Sequence, residues 1–179
     1  MKGLFVVCAL GMASLATAVQ PATSTFQWEM SYVTAAPDGF SRPVIGVNGK
    51  WPPPAITVSK GDQVVINVVN NLDDGEFVTL HTHGLFQNGT NYMDGVDQLT
   101  QWYKSHPFNI NLCSGIPSGD TFTYSFNVGQ QTGTYWIHSH IKGQYPNGIR
   151  APFIIRDPDT PYKYDYEQIL KVSDWVIAT

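Results

Sequence analysis

The sequence predicts an all-β protein with the architecture of a Greek-key β-sandwich built from antiparallel strands. Runs typical of strands recur at short spacing, turn residues such as Asp38-Gly39 and Asp157-Pro158 separate them, and no stretch of useful length has a helical period. Many short strands with regular turn signals are characteristic of sandwiches. A chain of 179 residues fits one such core more easily than two.

Eight strands are expected, because alternation of apolar and polar residues indicates a strand with one buried face. In chain order they cover residues 25–32, 55–58, 63–70, 77–83, 121–128, 133–140, 151–156 and 168–174. The run Trp51-Pro52-Pro53-Pro54 is excluded from any central strand, since proline donates no ladder hydrogen bond.

The first 18 residues predict a secretory signal. They have a basic start at Lys2, an apolar middle and a small-residue ending at Ala18, and the apolar run is too short to cross a bilayer. No later segment is apolar enough to do so. We therefore expect a secreted chain without a membrane span, in which the sequon at Asn88 is a candidate glycosylation site.

The charge balance argues against a nucleic-acid partner. The formal net charge is −4, the sequence pI is about 5.6, and Lys and Arg do not cluster anywhere in the chain. Nucleic-acid binding normally needs a basic patch that neutralises phosphates.

Two His-x-His pairs, His81-Thr82-His83 and His138-Ser139-His140, contain four of the five histidines. Residues two apart on a strand share one face, so each pair presents two imidazoles together. One such pair can arise by chance on a polar strand face, but two in strand context indicate a metal site. Imidazole-rich sites suit copper, zinc or iron, and a hydrolytic zinc enzyme is disfavoured because no HExxH motif is present.

The residues around the pairs carry a family resemblance. Residues 80–90, Met93-Asp94-Gly95 and residues 133–140 resemble the first two copper-ligand motifs of the multicopper oxidases, which include laccases, ascorbate oxidases and fungal ferroxidases. The resemblance runs over residues 26–175 and is greatest to the fungal ferroxidase and laccase-like branch.

This resemblance implies a cupredoxin fold and a copper cluster that reduces dioxygen to water with electrons from a phenol or ferrous iron. By the same resemblance, His81 would bind the type 2 copper, and His83, His138 and His140 the type 3 pair. Asp94 would assist proton delivery, although a turn-forming Asp before Gly95 is an equally good interpretation of that residue.

The resemblance also divides the chain. Residues 19–158 would form a first cupredoxin domain, and residues 159–179 a linker and the start of a truncated second one. A blue (type 1) copper site needs Cys, two His and a weak axial ligand, and no such set remains once the four paired histidines are assigned. We expect a copper-binding domain that needs the missing cupredoxin domains and is inactive alone. The alternative is a stand-alone secreted copper-binding module without turnover.

Residues 102–112 interrupt the family pattern just before Cys113. They are either an ordinary loop extension or part of a retained intron that begins inside the Trp102 codon and ends inside the Ser114 codon, whose removal would restore Thr-Gln-Cys-Gly-Ile-Pro. His106 inherits no ligand role in either case. Cleavage of the signal would remove Cys8 and leave Cys113 as the single cysteine, which suggests a missing disulfide partner.

Overall fold

The computed structural model describes residues 21–101 and 115–175, so the signal, the 102–112 segment and Cys113 lie outside the described residues. The strands are β1 (Thr23–Ala35), β2 (Arg42–Val47), β3 (Ile56–Ser59), β4 (Gln63–Asn70), β5 (His81–His83), β6 (Thr121–Asn127), β7 (Gly133–His138) and β8 (Arg150–Arg156). A short 3-10 helix covers Asn91–Met93. The all-β prediction is confirmed.

The strands form two four-stranded sheets, in the orders β2-β1-β4-β6 and β3-β8-β7-β5. Strand β4 alternates strictly between partly exposed and buried side chains, and its buried members Val64, Ile66 and Val68 face the core. Across the core, the rings of Phe126 on β6 and Phe153 on β8 have centroids 6.3 Å apart. Apolar faces of both sheets therefore close one sandwich core.

The expectation of purely antiparallel sheets was wrong for two strand pairs. Strand β1 runs parallel to β4, and β3 runs parallel to β8. Parallel neighbours need a long crossover connection, and the chain between β1 and β4 supplies one by passing through β2 and β3. Alternation in a sequence indicates which face is buried, but it carries no information on strand direction.

Strand β2 was not predicted, and it contains Pro43, a residue that is unfavourable in a sheet interior. The structure places β2 at the edge of its sheet, where it pairs only with β1 and Pro43 lies opposite Thr34. An edge strand tolerates a residue without an N–H donor. The exclusion of Trp51-Pro52-Pro53-Pro54 from a strand is confirmed.

Two predicted strands are shorter than expected, because their backbone groups bond elsewhere. The 77–83 strand is reduced to His81–His83, since the Leu80 N–H donates to the Tyr124 hydroxyl at 2.9 Å. The 133–140 strand ends at His138, since the His140 N–H donates to Thr79 Oγ1 at 3.1 Å. His140 therefore lies just outside the ladder.

The predicted strand over residues 168–174 is absent, because no described strand lies beside it to share ladder hydrogen bonds. Leu170 and Val172 of this segment are largely exposed. None of the helices found in residues 21–101 and 115–175 has the length and apolar character required to cross a membrane.

Candidate metal centre

The two His-x-His pairs meet because β5 and β7 are neighbouring antiparallel strands. His81 lies opposite His138 and His83 lies opposite Trp136 in the ladder. Residues opposite one another on one face of a sheet bring their side chains into contact. As a result, each of His81, His83 and His138 offers a ring nitrogen, and these ligand atoms all lie within 4.8 Å of one another.

His140 completes the cluster of rings without belonging to this close trio. Its ring centroid lies 5.4 Å from that of His81 and 5.9 Å from that of His138. The chain leaves the β7 ladder after His138, so His140 is exposed, whereas His138 is buried. The structure thus brings all four predicted histidines together.

Main-chain carbonyls fix the tautomers of two rings. His81 Nδ1 lies 2.7 Å from the Asp94 carbonyl oxygen, and His138 Nδ1 lies 2.8 Å from the Ser139 carbonyl oxygen. A carbonyl only accepts hydrogen bonds, so both Nδ1 atoms carry the proton and both Nε2 atoms keep a lone pair for a metal. His138 Nε2 lies 3.3 Å from His83 Nδ1, so ring nitrogens of the two pairs converge.

Asp94 follows the short 3-10 helix and contacts His81 with two oxygens. Besides the main-chain contact, its Oδ1 lies 3.2 Å from His81 Nδ1. Gly95 permits this approach: its φ is +72°, and a Cβ there would lie 1.9 Å from the Leu80 carbonyl oxygen. Only glycine lets the 94–95 loop lie directly on the backbone that leads into His81.

The electrostatic surroundings keep the buried imidazole neutral. Burial lowers the pKa of His138 to about 4, and the neighbouring His81, His83 and His140 act in the same direction, against the hydrogen bond to Ser139. A histidine must be neutral to bind a metal. His138 therefore does not need to lose a proton at neutral pH before it binds an ion.

Aromatic rings contact the histidines. Trp136 stacks on His138 and His83, as expected from its position on the same face as His138. Tyr145 meets Trp136 and His138 edge-on, with centroids 5.7 and 5.6 Å away. Tyr145 was missed in the sequence, because it comes from a loop after β7 and has no periodic relation to the pair.

The residues fit copper. Three convergent imidazole nitrogens on paired strands, two of them with fixed tautomers, form a donor set that suits copper. Asn88 is exposed in a turn with Gly89.

Comparison with known proteins gives one family. The sequence model of the family described as multicopper oxidase matches residues 29–160. The iron transport multicopper oxidase FET3 of Gibberella zeae is 48% identical over 177 residues, covering 97% of this chain and 26% of that protein. The protein of the same name from Saccharomyces cerevisiae is 44% identical over 163 residues, covering 90% of this chain and 24% of that protein.

Solved structures agree with the sequence relatives. The crystal structure of Fet3p, described as a multicopper oxidase that functions in iron import, superposes with a TM-score of 0.70 and 46% identity, covering 80% of this chain and 25% of that one. The laccase from Botrytis aclada gives 0.67 and 35% identity, covering 83% and 26%. The chain spans about a quarter of the length of the relatives it matches.

Proposed function

Because this chain belongs to the multicopper oxidase family and has its cupredoxin-like fold, we propose that residues 19–158 are the copper-binding N-terminal domain of a secreted oxidase. In that role the domain supplies part of a copper cluster, and the remaining ligands come from outside these 179 residues. The convergence of His83 Nδ1 and His138 Nε2 at 3.3 Å is the observation that carries this proposal. It brings potential ligand atoms of both pairs to one place.

Within the cluster, His81 would hold the type 2 copper, and His83, His138 and His140 would hold the type 3 pair. The fixed tautomers of His81 and His138 support metal ligation by both residues, because both leave Nε2 free, and the division between the two copper types rests on the family resemblance. Copper at such a site would pass electrons to dioxygen and yield water. The protein's own contribution is to hold the imidazoles in fixed directions on β5, on β7 and just beyond the end of β7.

Asp94 is assigned to proton delivery. Its carboxylate lies beside the protonated Nδ1 of His81, at the edge of the histidine cluster. A carboxylate in that position could relay protons to the copper cluster, where the reduction of dioxygen would consume them. Its carbonyl has a separate task, which is to fix the His81 ring.

Ferrous iron is the reducing substrate that we favour over a phenol. The relatives named iron transport oxidases reach 48% identity, whereas the Botrytis laccase reaches 35%. Secretion is supported by the signal-like residues 1–18, and the exposure of Asn88 agrees with glycosylation there.

Copper titration of the mature chain tests the proposal. We expect binding that depends on His81 and His138, without an intense blue absorption band, since no cysteine stands with two free histidines. Replacing both histidines with alanine should remove most specific binding. Equal affinity in the double variant would show that the ligand assignment is wrong.

Oxygen uptake separates the proposed role from a self-sufficient oxidase. The copper-loaded chain should not consume oxygen with ferrous iron or a phenol, because no type 1 site accepts the first electron. Sustained turnover that chelation abolishes and copper restores would overturn that part of the proposal. A transcript that continues into a His-Cys-His motif would favour the oxidase over the stand-alone copper module.

A further inference from the structure

Each His-x-His pair is followed by a buried glutamine at the same spacing. Gln87 comes five residues after Thr82, the middle residue of the first pair, and Gln144 comes five residues after Ser139, the middle residue of the second. Thr82 and Ser139 are each 1% exposed, and both glutamines are 7% exposed. The shared spacing is visible in the sequence, but the hydrogen bonds that give it a role appear only in the fold.

The glutamines bond to the middle hydroxyls, not to the imidazoles. Gln87 Nε2 donates to Thr82 Oγ1 at 2.9 Å, and Gln87 Oε1 accepts from the Thr90 hydroxyl at 2.8 Å. The Ser139 hydroxyl donates to Gln144 Oε1 at 2.7 Å, and Gln144 Nε2 donates to the Phe77 carbonyl at 2.6 Å. Both amides are therefore paired at each end, as buried amides require.

The backbone of Gln87 adopts a conformation that is unfavourable for a residue with a long side chain. Its φ is +46°, in the left-handed region, where glycine or asparagine fits more easily. Holding another residue in that region costs on the order of 1 kcal/mol or more. The two hydrogen bonds of the Gln87 amide act against this cost.

The position of β5 explains why an anchor is needed. This strand has only three residues and lies at the edge of its sheet, with β7 as its single neighbour. Thr82 lies between the two histidines and points to the opposite face. A bond from Gln87 to Thr82 holds the strand from behind, on the side away from the imidazoles. Ser139 is comparable, since it lies just beyond the end of β7 and just before the exposed His140.

We propose that Gln87 and Gln144 are matched positioning residues, each of which orients one pair of imidazoles through the hydroxyl between them. The expected effect on copper affinity rests on the proposed function. The expected effect on ring orientation does not rest on it. Losing an anchor should let the pair sample several orientations in the metal-free chain. Partners that orient ligands without touching the metal typically change metal affinity 10–100-fold.

Three variants break the anchors with small changes in shape. Gln87→Asn keeps an amide and tolerates the left-handed backbone, but it is one methylene too short to reach Thr82. Thr82→Val keeps the side-chain shape without the hydroxyl, and Thr82→Ser should restore the parent behaviour. Ser139→Ala removes the second anchor.

A matched control exists in the other sheet. Gln63 Nε2 donates to Ser125 Oγ at 3.0 Å, which is the same kind of bond between β4 and β6, without a histidine on either strand. Gln63→Asn and Ser125→Ala therefore repeat the chemical changes away from the cluster. These two variants measure how the loss of such a bond changes stability when no histidine lies on either strand.

Nitrogen-15 NMR of the imidazoles in the mature, metal-free chain is the first measurement. We expect Gln87→Asn and Thr82→Val to broaden or multiply the His81 and His83 signals, and Ser139→Ala to do so for His138 and His140. The two controls should leave all four rings unchanged. Imidazole signals identical to the parent in the three anchor variants would overturn the inference.

Competition titration with Cu²⁺ is the second measurement. The anchor variants should bind Cu²⁺ about 10–100-fold more weakly than the parent, with the controls at parental affinity. A parent chain that does not bind Cu²⁺ through its histidines would refute the proposed function, and the NMR comparison would still decide the positioning role. If Gln87→Asn or Ser139→Ala fails to fold, Thr82→Val against Thr82→Ser is the deciding pair, and if Thr82→Val fails to fold, Gln87→Asn and Ser139→Ala decide.

Discussion

The indole ring of Trp136 stacks on the imidazole of His138, with ring centroids 3.9 Å apart and planes inclined by 22°. The same indole lies 5.3 Å from the ring of His83. A fluorescent side chain therefore lies directly against two of the proposed copper ligands. Trp51 differs, since its ring contact among the described residues is with Trp175 and not with a histidine.

Copper should report on this stack through fluorescence. We expect Cu²⁺ to quench the tryptophan emission of the mature chain mainly through Trp136, because quenching by copper requires short distances. The Trp136→Phe variant should lose most of the quenching, and Trp51→Phe should keep it. Steady-state emission during a copper titration is the measurement. Undiminished quenching in Trp136→Phe would place the bound copper elsewhere.

Strand bounds were predicted accurately where they depend on the local alternation of apolar and polar residues. Strand β4 was predicted to the residue, because Gln63–Asn70 alternates without a break. The ends of β5 and β7 were not, because the N–H groups of Leu80 and His140 bond to hydroxyls distant in the sequence. Such tertiary bonds leave no periodic signal.

In the candidate metal centre, too, local features were predictable from the sequence and tertiary contacts were not. That the four histidines lie together was predictable from the sequence, because His-x-His pairs on strands are local motifs. Asp94 was expected near His81, but the sequence did not reveal that its main-chain carbonyl fixes the ring. Tyr145 approaches only through the folded loop after β7.

Gly95→Ala should be far more destabilising than Gly49→Ala. The two glycines have φ values of +72° and +70°, so alanine meets the same backbone penalty at both. A Cβ at Gly95 would lie 1.9 Å from the Leu80 carbonyl oxygen, whereas a Cβ at Gly49 meets nothing within 4 Å. We expect about 1 kcal/mol at Gly49 and more than about 2 kcal/mol at Gly95, measured by urea unfolding. Equal losses would refute the close packing of the 94–95 loop.

Tyr124→Phe should destabilise the chain by about 1–3 kcal/mol, because the buried Leu80 N–H would lose its acceptor. The Tyr124 hydroxyl also donates to Gln101 Oε1 at 2.5 Å, so that oxygen loses its donor as well. Tyr135→Phe is the control, since its hydroxyl is only partly buried. A loss at Tyr124 no larger than at Tyr135 would contradict this role.

A surface pair predicts a pH-dependent contribution to stability. The Tyr32 hydroxyl donates to Asp74 Oδ2 at 2.5 Å, and this bond, with the Glu76 N–H, holds the pKa of Asp74 below its ordinary value. The unfolded chain then binds a proton more readily than the folded chain. The stabilisation is present above the unfolded pKa of about 3.9 and is lost as the pH falls through the folded value.

Tyr32→Phe should therefore lower the free energy of unfolding at neutral pH, and the difference from the parent should shrink at about pH 3. Urea unfolding at the two pH values measures this difference. In an Asp74→Asn background, the effect of Tyr32→Phe should not depend on pH in this range. A constant difference in the native background would show that the hydrogen bond does not favour the ionised carboxylate.

The C-terminal described segment predicts self-association of the isolated chain. Tyr162, Tyr166, Leu170 and Val172 are 78, 78, 82 and 86% exposed. The end of the segment is nevertheless held to the sandwich, since Arg42 lies 4.1 Å from the centroid of the Trp175 ring and Arg150 Nη2 donates to Ser173 Oγ at 2.7 Å. The apolar side chains are thus presented on a fixed surface, which favours association.

Size-exclusion chromatography of the mature chain should show oligomers that persist in reductant, and the double variant Leu170→Lys/Val172→Glu should shift toward monomer. Lys163→Glu and Asp165→Lys, which change charge without removing apolar surface, serve together as the control. Oligomers that disappear in reductant would instead attribute association to Cys113. A stable monomer with cooperative unfolding, with or without reductant, would mean that the exposed side chains do not drive association. Contact between these side chains would then bury too little apolar surface to offset the entropy lost when two chains associate.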